Sequence, residues 1–282
     1  MTVAQKDSLQ QWVGRTETQS DTIEPRPVTL LSATLDRDDP PPNPGDTLPP
    51  LWHWLFFLPV YRHSEAGPDG HARRGGFLPP VPLPRRMWAG SRLEWTRPLR
   101  IGDSVTRVSR IVSITNKHGA SGELVFVVVR HELSTTAGLS LVEEHDIVYR
   151  DVAAAGAAAI PRAPEAARWA RRIVPDDVLL FRYSALTFNS HRIHYDRRYA
   201  TEVEGYPGLV VHGPLLATLL TDLLRRHGIG ETLSRFEFRA RRPLFDIAPF
   251  DVCGLPDANG NTVSLWAQDA DGGLAMQATA TL

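Results

Sequence analysis

Three histidines lie close together in the stretch 182–213: His191, His194 and His212. They stand beside Asn189 in a polar segment that leads directly into a strongly apolar one. A neutral imidazole can accept or donate a proton near neutral pH. Loops anchored on a buried helix are where functional side chains tend to lie. The sequence therefore predicts a proton-transfer site in this stretch.

Other chemistries fit these residues less well. His191 and His194 are three residues apart and could chelate a metal on a helix, with Asp196 and His212 as further ligands, but no standard zinc spacing is present. No metal is therefore expected. Cys253 has no histidine near it in sequence, and neither a G-x-S-x-G elbow nor a glycine-rich phosphate loop occurs.

The apolar segment 209–228 predicts a buried helix. Pro214 is suited to the first helical turn and Gly228 to the position after the last. The free N–H of Gly213, at the start of that helix, points along the helix dipole and can stabilise negative charge on a carbonyl oxygen. A histidine on the preceding loop could then move a proton at the adjacent carbon. This pairing suits a thioester whose α-carbon becomes enolate-like when water adds to, or leaves from, the β-carbon. The apolar positions of the helix recur with helical spacing at Leu216, Leu219, Leu220 and Leu223.

The chain contains an internal echo. EWTRPLRIGDSV (94–105) resembles FRARRPLFDIAPFDV (238–252), and LLSATLD (30–36) resembles RYSALTFN (182–189). The order and approximate spacing of these landmarks are the same in both halves, which favours a tandem duplication.

The duplication predicts two repeats in an α+β fold. We expect an N-terminal repeat at 1–152, an Ala/Gly/Pro-rich linker at 153–170 and a C-terminal repeat at 171–282. Each repeat is predicted to wrap an antiparallel sheet around one long helix, with a short aromatic helix at 51–61 in the first. A further helix is predicted at 5–14.

Composition excludes several classes of protein. The 282 residues are 42% apolar with a net charge of −1, which argues against disorder and against a basic nucleic-acid binder. A single cysteine excludes a disulfide framework. The N-terminus lacks the apolar core of a signal peptide and no run is long enough to span a membrane, so we expect a cytoplasmic protein.

Two motifs, SALTFNSHRIHYD (184–196) and GYPGLVVHGPLLATLL (205–220), resemble the MaoC-like, (R)-specific enoyl-CoA hydratases of the hot-dog fold. The segment LPPLWHWLFFLP (48–59) resembles them more loosely. Within that group the likeness is closest to the double-hot-dog 3-hydroxyacyl-thioester dehydratases, which include itaconyl-CoA and mesaconyl-C4-CoA hydratases. The resemblance implies a double hot-dog fold whose first repeat, lacking the histidine motif, is non-catalytic.

The resemblance also implies roles for residues. The family's catalytic histidine falls on His194 and its acid position on Asn189, which cannot act as a base but could orient a water molecule. Gly213 matches the oxyanion donor, and His212 either joins it at the thioester or is a buried cap residue. We expect Asp196 either to tune His194 or, preferably, to pair with a neighbouring arginine, Arg197 or Arg198. The residues expected to contact substrate are Arg192, Arg182 and Tyr195, with an arginine meeting a distal carboxylate.

The implied activity is reversible hydration of an α,β-unsaturated acyl-CoA to the 3-hydroxyacyl-CoA. The preferred substrate is a short branched dicarboxylyl-CoA, with itaconyl-CoA first and mesaconyl-CoA next. The alternatives are a hot-dog thioesterase and a catalytically inactive acyl-CoA-binding protein. No cofactor is expected beyond the CoA of the substrate, and no nucleic-acid or membrane partner. A homodimer of double hot dogs is expected, with a monomer as the alternative.

Overall fold

The computed structural model of the protein describes residues 3–119, 122–151, 161–230 and 233–282. Ten strands form one sheet: β1 (Thr16–Thr22), β2 (Arg85–Trp95), β3 (Ser104–Gly119), β4 (Gly122–Thr135), β5 (Gly138–Arg150), β6 (Trp169–Ile173), β7 (Arg235–Ala240), β8 (Phe250–Pro256), β9 (Thr262–Asp269) and β10 (Leu274–Thr281). The α-helices are α1 (Val3–Gln10), α2 (Pro25–Thr34), α3 (Asp177–Leu186) and α4 (Gly213–Arg226).

The sheet repeats one strand order twice. Its order is β1-β3-β4-β5-β2-β7-β10-β9-β8-β6, with every neighbouring pair antiparallel, so the second five strands mirror the first five across the β2–β7 junction. At that junction a Cβ on Gly90 would lie 2.4 Å from the Phe238 carbonyl oxygen, so glycine permits the close approach. The echoed segments occupy matching places: 30–36 and 182–189 end α2 and α3, and the other pair links β2 to β3 and β7 to β8.

Helix α4 is the buried helix that the sequence predicts. Pro214 lies in its first turn, Gly228 adopts a φ of +77° just beyond its end, and ten consecutive residues from Leu215 to Leu224 are buried. Because these ten residues span almost three turns, every face of this part of the helix is covered by other parts of the protein. It packs against β6, β8, β9 and β10, and its core is continuous with that of the first half.

In the first half, the described residues form no helix as long as α4. The aromatic segment forms a single 3-10 turn, Trp52–Leu55, and then an extended arm (residues 56–84) leads to β2. Pro50 and Pro59 bracket the segment, and Leu51 and Phe57 adopt positive φ of 68° and 54°, so a regular helix cannot extend in either direction.

The predicted boundaries of the linker and of the first helix agree with the structure only in part. Residues 153–160 of the predicted linker lie outside the described residues, and β6 already begins at Trp169. The helix predicted at 5–14 is α1, which ends at Gln10 before a turn to Gly14. Within the described ranges, no helix is long and apolar enough to cross a membrane.

A buried charge network joins the two halves. The fully buried Asp222 of α4 accepts from Arg37 Nη1 (2.8 Å), Arg171 Nη1 (2.9 Å) and Arg226 Nε (2.7 Å). Arg226 also donates to the Leu35 carbonyl oxygen at 2.8 Å, just beyond the end of α2. The carboxylate therefore fixes the C-terminal turn of α4 against the first half.

We expect Asp222→Asn to lower the free energy of unfolding by about 3 kcal/mol, because it leaves partly buried guanidinium groups without their anion. Urea unfolding followed by circular dichroism measures the change. Asp251→Asn is the matched control: its partner Arg172 is 63% exposed, so the loss should stay below about 1 kcal/mol. Equal losses in the two variants would contradict a structural role for the buried network.

Candidate active site

The catalytic loop, residues 187–213, begins where α3 stops. Phe188 takes a positive φ of 49°, and the Asn189 N–H donates to the Ser184 carbonyl oxygen at 2.8 Å. These two features end the helix and turn the chain back over it. A 3-10 turn, Arg192–His194, then carries the candidate base into the interior.

His194 is buried and has a defined tautomer. Its Nδ1 lies 2.7 Å from the carbonyl oxygen of Val210, and the Val210 N–H donates to the Ile193 carbonyl oxygen at 2.9 Å. A carbonyl can only accept, so Nδ1 carries the hydrogen and Nε2 has the free lone pair. Burial lowers the pKa of His194 to about 4. The side chain is therefore a neutral base throughout the physiological pH range.

His212 supports His194 from behind. The two rings stack with centroids 3.7 Å apart, and His212 Nε2 lies 2.8 Å from the Ser184 hydroxyl. His212 is fully buried, and burial holds its pKa well below the usual value. His212 takes the N-cap position of α4, and its buried Nδ1 has no hydrogen-bond partner among the described residues. Its expected role at the thioester stays a prediction.

Asn189 keeps one hydrogen-bonding group available. Its Oδ1 accepts from the His191 N–H at 3.0 Å, which identifies that atom as the oxygen. Its Nδ2 makes no hydrogen bond within the described part of the chain, and the side chain is half-buried. Asn189 can therefore donate to a water molecule or to substrate.

Gly213 lies at the N-terminal end of α4 with open space in front of it. A Cβ there would meet nothing within 4 Å, and its N–H has no acceptor among the described residues. Pro214 follows and has no N–H of its own. Gly213 therefore offers a free N–H at the positive end of the helix dipole, where a thioester oxygen could be bound.

The residues expected to contact substrate are placed differently from the prediction. Arg192 donates to Asp196 Oδ2 through Nε (3.0 Å) and Nη2 (2.7 Å), an i,i+4 pair that takes the place of the expected Arg197 or Arg198 pairing. Arg182 is exposed on α3. Tyr195 is 44% exposed and donates from its hydroxyl to the Ser190 carbonyl oxygen at 3.0 Å. Neither arginine is thus a free cation inside the site.

The extended arm of the first half completes the site, which sequence reasoning missed. The Arg192 N–H donates to the Asp69 carbonyl oxygen at 2.9 Å, and the Ser190 hydroxyl donates to the Gly70 carbonyl oxygen at 2.6 Å. The His71 ring lies 4.1 Å from the His191 ring. More than 100 residues of sequence separate these partners. The local signal within this part of the arm is GPDGH, which predicts a turn but not its contact with the loop.

Asp69, His71 and His191 form a group of three whose donor atoms all lie within 4.8 Å of one another. His71 Nδ1 is 3.2 Å from Asp69 Oδ2. Burial lowers the pKa of His191 to about 2 and also lowers that of His71, whereas the adjacent histidines help to hold the pKa of Asp69 below its usual value. The group therefore holds two neutral imidazoles and one carboxylate.

The wrapped sheet, the buried helix α4 and the neutral, buried His194 on the loop before that helix agree with one class: hot-dog proteins that act on acyl thioesters. Solved structures confirm the fold. One described as a MaoC-like dehydratase covers 97% of this chain and 99% of its own, with a TM-score of 0.70 and 13% identity. A Mycobacterium tuberculosis protein described as having a double hotdog fold covers 95% and 96%, with a TM-score of 0.57 and 13% identity.

The sequence profile of the hydroxyacyl-thioester dehydratase type 2 family matches residues 51–246, and the chain belongs to this family. The mesaconyl-C(4)-CoA hydratase of Chloroflexus aurantiacus is 48% identical over 273 residues, which is 96% of each chain. The protein is accordingly a hydro-lyase that adds water reversibly to an α,β-unsaturated acyl-CoA.

Gly70→Ala should reduce kcat/KM for hydration by about 10- to 100-fold, because displacing the loop misplaces the base. Gly70 has a φ of +89°, and its Cβ would lie 1.9 Å from the Ser190 carbonyl oxygen. Gly75→Ala is the control, since Gly75 has a similar φ of +98° but nothing within 4 Å of a Cβ. Equal kinetics in the two variants would show that contact between arm and loop is not needed.

The pH profile should report the buried state of His194. With a pKa of about 4, kcat/KM is expected to be flat from about pH 8 to about pH 5 and to fall below that. The pKa of His194 falls from 6.5 to about 4 on folding, so the folded protein takes up this proton at a lower pH than the unfolded chain does. The contribution of neutral His194 to the free energy of unfolding is therefore fully present above about pH 6.5. It declines by about 3 kcal/mol as the pH falls to about 4. Circular dichroism at each pH separates the two effects, and an acid limb near pH 6.5 in folded enzyme would contradict the assignment.

Proposed function

We propose that His194, Asn189 and Gly213 carry out the hydration, with a short branched dicarboxylyl-CoA as substrate. The observation that carries the proposal is the hydrogen bond from His194 Nδ1 to Val210, which leaves a neutral Nε2 lone pair in a buried site. Asn189 Nδ2 supplies a donor on the same loop, and Gly213 N–H supplies a second donor at the start of helix α4.

In the hydration direction the Asn189 amide donates to a water oxygen and His194 Nε2 accepts one of its protons. The water oxygen forms a bond to the β-carbon while the C=C π electrons move towards the thioester carbonyl. Gly213 N–H stabilises the enolate oxygen that results. The His194 imidazolium then gives its proton to the α-carbon, which restores the neutral base. One base serves both proton transfers.

The mesaconyl-C(4)-CoA hydratase supports the choice of substrate, because it is 48% identical over 96% of both chains. Mesaconyl is a branched, unsaturated dicarboxylyl group, the class predicted from the sequence. This comparison makes mesaconyl-C4-CoA the first substrate to assay, ahead of itaconyl-CoA.

Two further expectations from the sequence stay predictions: the homodimer of double hot dogs and the cytoplasmic location. Free Cys253, which is buried, is consistent with a reducing compartment.

His194→Ala should lower kcat for hydration of mesaconyl-C4-CoA by at least about 100-fold, because the variant has no group to move the proton. Mass spectrometry detects the gain of one water by the acyl-CoA. His118→Ala is the matched control, since His118 is an exposed histidine near the end of β3, and it should keep wild-type activity.

The same assay separates the alternatives. A thioesterase would release free CoA thiol, which a thiol reagent detects, and an inactive binding protein would leave the acyl-CoA unchanged. Hydration by His194→Ala at the wild-type rate would exclude His194 as the base, whereas thiol release by the wild type would exclude the hydratase itself.

A further inference from the structure

Two histidines and a carboxylate meet where the arm contacts the catalytic loop, and the hydration mechanism gives them no role. Asp69 and His71 come from the arm and His191 comes from the loop. One donor atom of each lies within 4.8 Å of the donor atoms of the other two, and all three residues are half-buried. Imidazole nitrogens combined with a carboxylate oxygen are ligands that zinc takes in proteins. The group is therefore a candidate cation site.

The separation of the donor atoms suits a single ion. His71 Nδ1 lies 3.2 Å from Asp69 Oδ2. Two ligand atoms on a tetrahedral zinc ion, each about 2.0–2.2 Å from the metal, lie about 3.3–3.5 Å from each other. The His191 nitrogen needs to approach the other two donor atoms by at most about 1.4 Å to reach that separation. Side-chain rotation covers this distance, so the backbone can stay in place.

The backbone that carries the ligands is already fixed. Asp69 Oδ1 accepts from the His71 N–H at 3.1 Å, and the Gly67 N–H donates to the His71 carbonyl oxygen at 2.6 Å, which closes the turn of the arm. The Asp69 carbonyl oxygen accepts from the Arg192 N–H at 2.9 Å, which holds this turn against the loop. Ligands that are held in place before binding lose less conformational entropy when the ion binds.

The protonation states are those that a metal ion requires. Burial lowers the pKa of both His71 and His191, so both rings are neutral near pH 7. The hydrogen bond from His71 outweighs burial and holds the pKa of Asp69 below its usual value. When a cation takes the place of the hydrogen between His71 Nδ1 and Asp69, that hydrogen can move to Nε2, and the ring stays neutral.

The donor set and the nearby charges select the kind of cation. Arg86 contributes to the low pKa of both histidines, and Arg74 contributes to that of His71. Positive charge disfavours magnesium and calcium most, because those ions bind mainly by electrostatic attraction to oxygen ligands. Two imidazole nitrogens favour zinc instead. We therefore expect zinc to bind in the micromolar range and magnesium not to bind.

This combination differs from the metal ligands considered from the sequence. His194 donates from Nδ1 to a backbone carbonyl oxygen, and Asp196 is paired with Arg192. His191 is the member of that set that faces the arm, where its ring lies 4.1 Å from the His71 ring. The sequence gave no signal of the site because two of its ligands come from a distant segment.

We propose that Asp69, His71 and His191 bind a divalent transition-metal ion of the zinc class, which joins the arm to the catalytic loop. Three protein ligands leave the fourth position of a tetrahedral ion to water. The site goes beyond the proposed function and does not depend on it, because none of the three ligands takes part in a step of the hydration.

Zinc titration of the whole, chelator-treated protein tests this site. Competition with a chromogenic zinc chelator, in the absence of acyl-CoA, should show one zinc ion bound per chain at micromolar zinc. His191→Ala and His71→Ala should each weaken binding by at least about 10-fold, the loss that follows even when a residue behind a ligand is removed. His63→Ala is the matched control, because His63 is an exposed histidine of the same arm, and it should bind zinc as the wild type does.

Two further variants locate the ion. Asp69→Asn removes the charge but keeps an oxygen for the His71 N–H, and it should also weaken zinc binding. His194→Ala should bind zinc as the wild type does. Thermal unfolding in chelator checks that each variant is folded, and zinc should raise the midpoint of the wild type and not that of His191→Ala. No binding at micromolar zinc, equal affinity in His191→Ala, loss of binding in His194→Ala or equal binding of magnesium would overturn the proposal.

Discussion

The site depends on a pair of hydrogen bonds between the catalytic loop and the segment before α4. Val210 N–H donates to Ile193, and His194 Nδ1 donates back to Val210, so the two segments are joined at one residue. This pairing fixes the depth of the base, its tautomer and its distance from Gly213, which follows three residues after Val210. Val211 N–H in turn donates to the Leu244 carbonyl oxygen, which ties this segment to the chain just beyond β7.

The two halves share a strand order, but different elements fill the space beneath the sheet in each half. The second half fills it with α4, whereas the first has one 3-10 turn and an extended arm. The arm contains a short 3-10 turn, His63–Glu65, and beyond that turn Asp69, Gly70 and His71 meet the catalytic loop of the second half. The first half thus contacts the catalytic loop through the element in which it differs from the second half.

The sequence correctly predicted those elements that short-range interactions determine. Pro214, the leucine spacing and Gly228 set α4, and the echoed segments correctly indicated two similar halves. The short aromatic helix predicted at 51–61 is reduced to a single 3-10 turn, because Pro50 and Pro59 bracket the segment. The approach of His71 to His191 could not be predicted, since it depends on how two sheet halves meet and has no periodicity in the sequence.

The amide at position 189 constrains the chemistry more than its position in the motif suggests. Oδ1 already accepts the His191 N–H, while the Nδ2 donor makes no hydrogen bond among the described residues. A water bound there must present its oxygen to Asn189, which leaves its protons for His194. The nearest carboxylate on the arm, Asp69, is engaged by His71 and cannot replace the missing acid directly. In the proposed mechanism the neutral His194 therefore moves both protons, and its lowered pKa makes the imidazolium a strong acid towards the α-carbon.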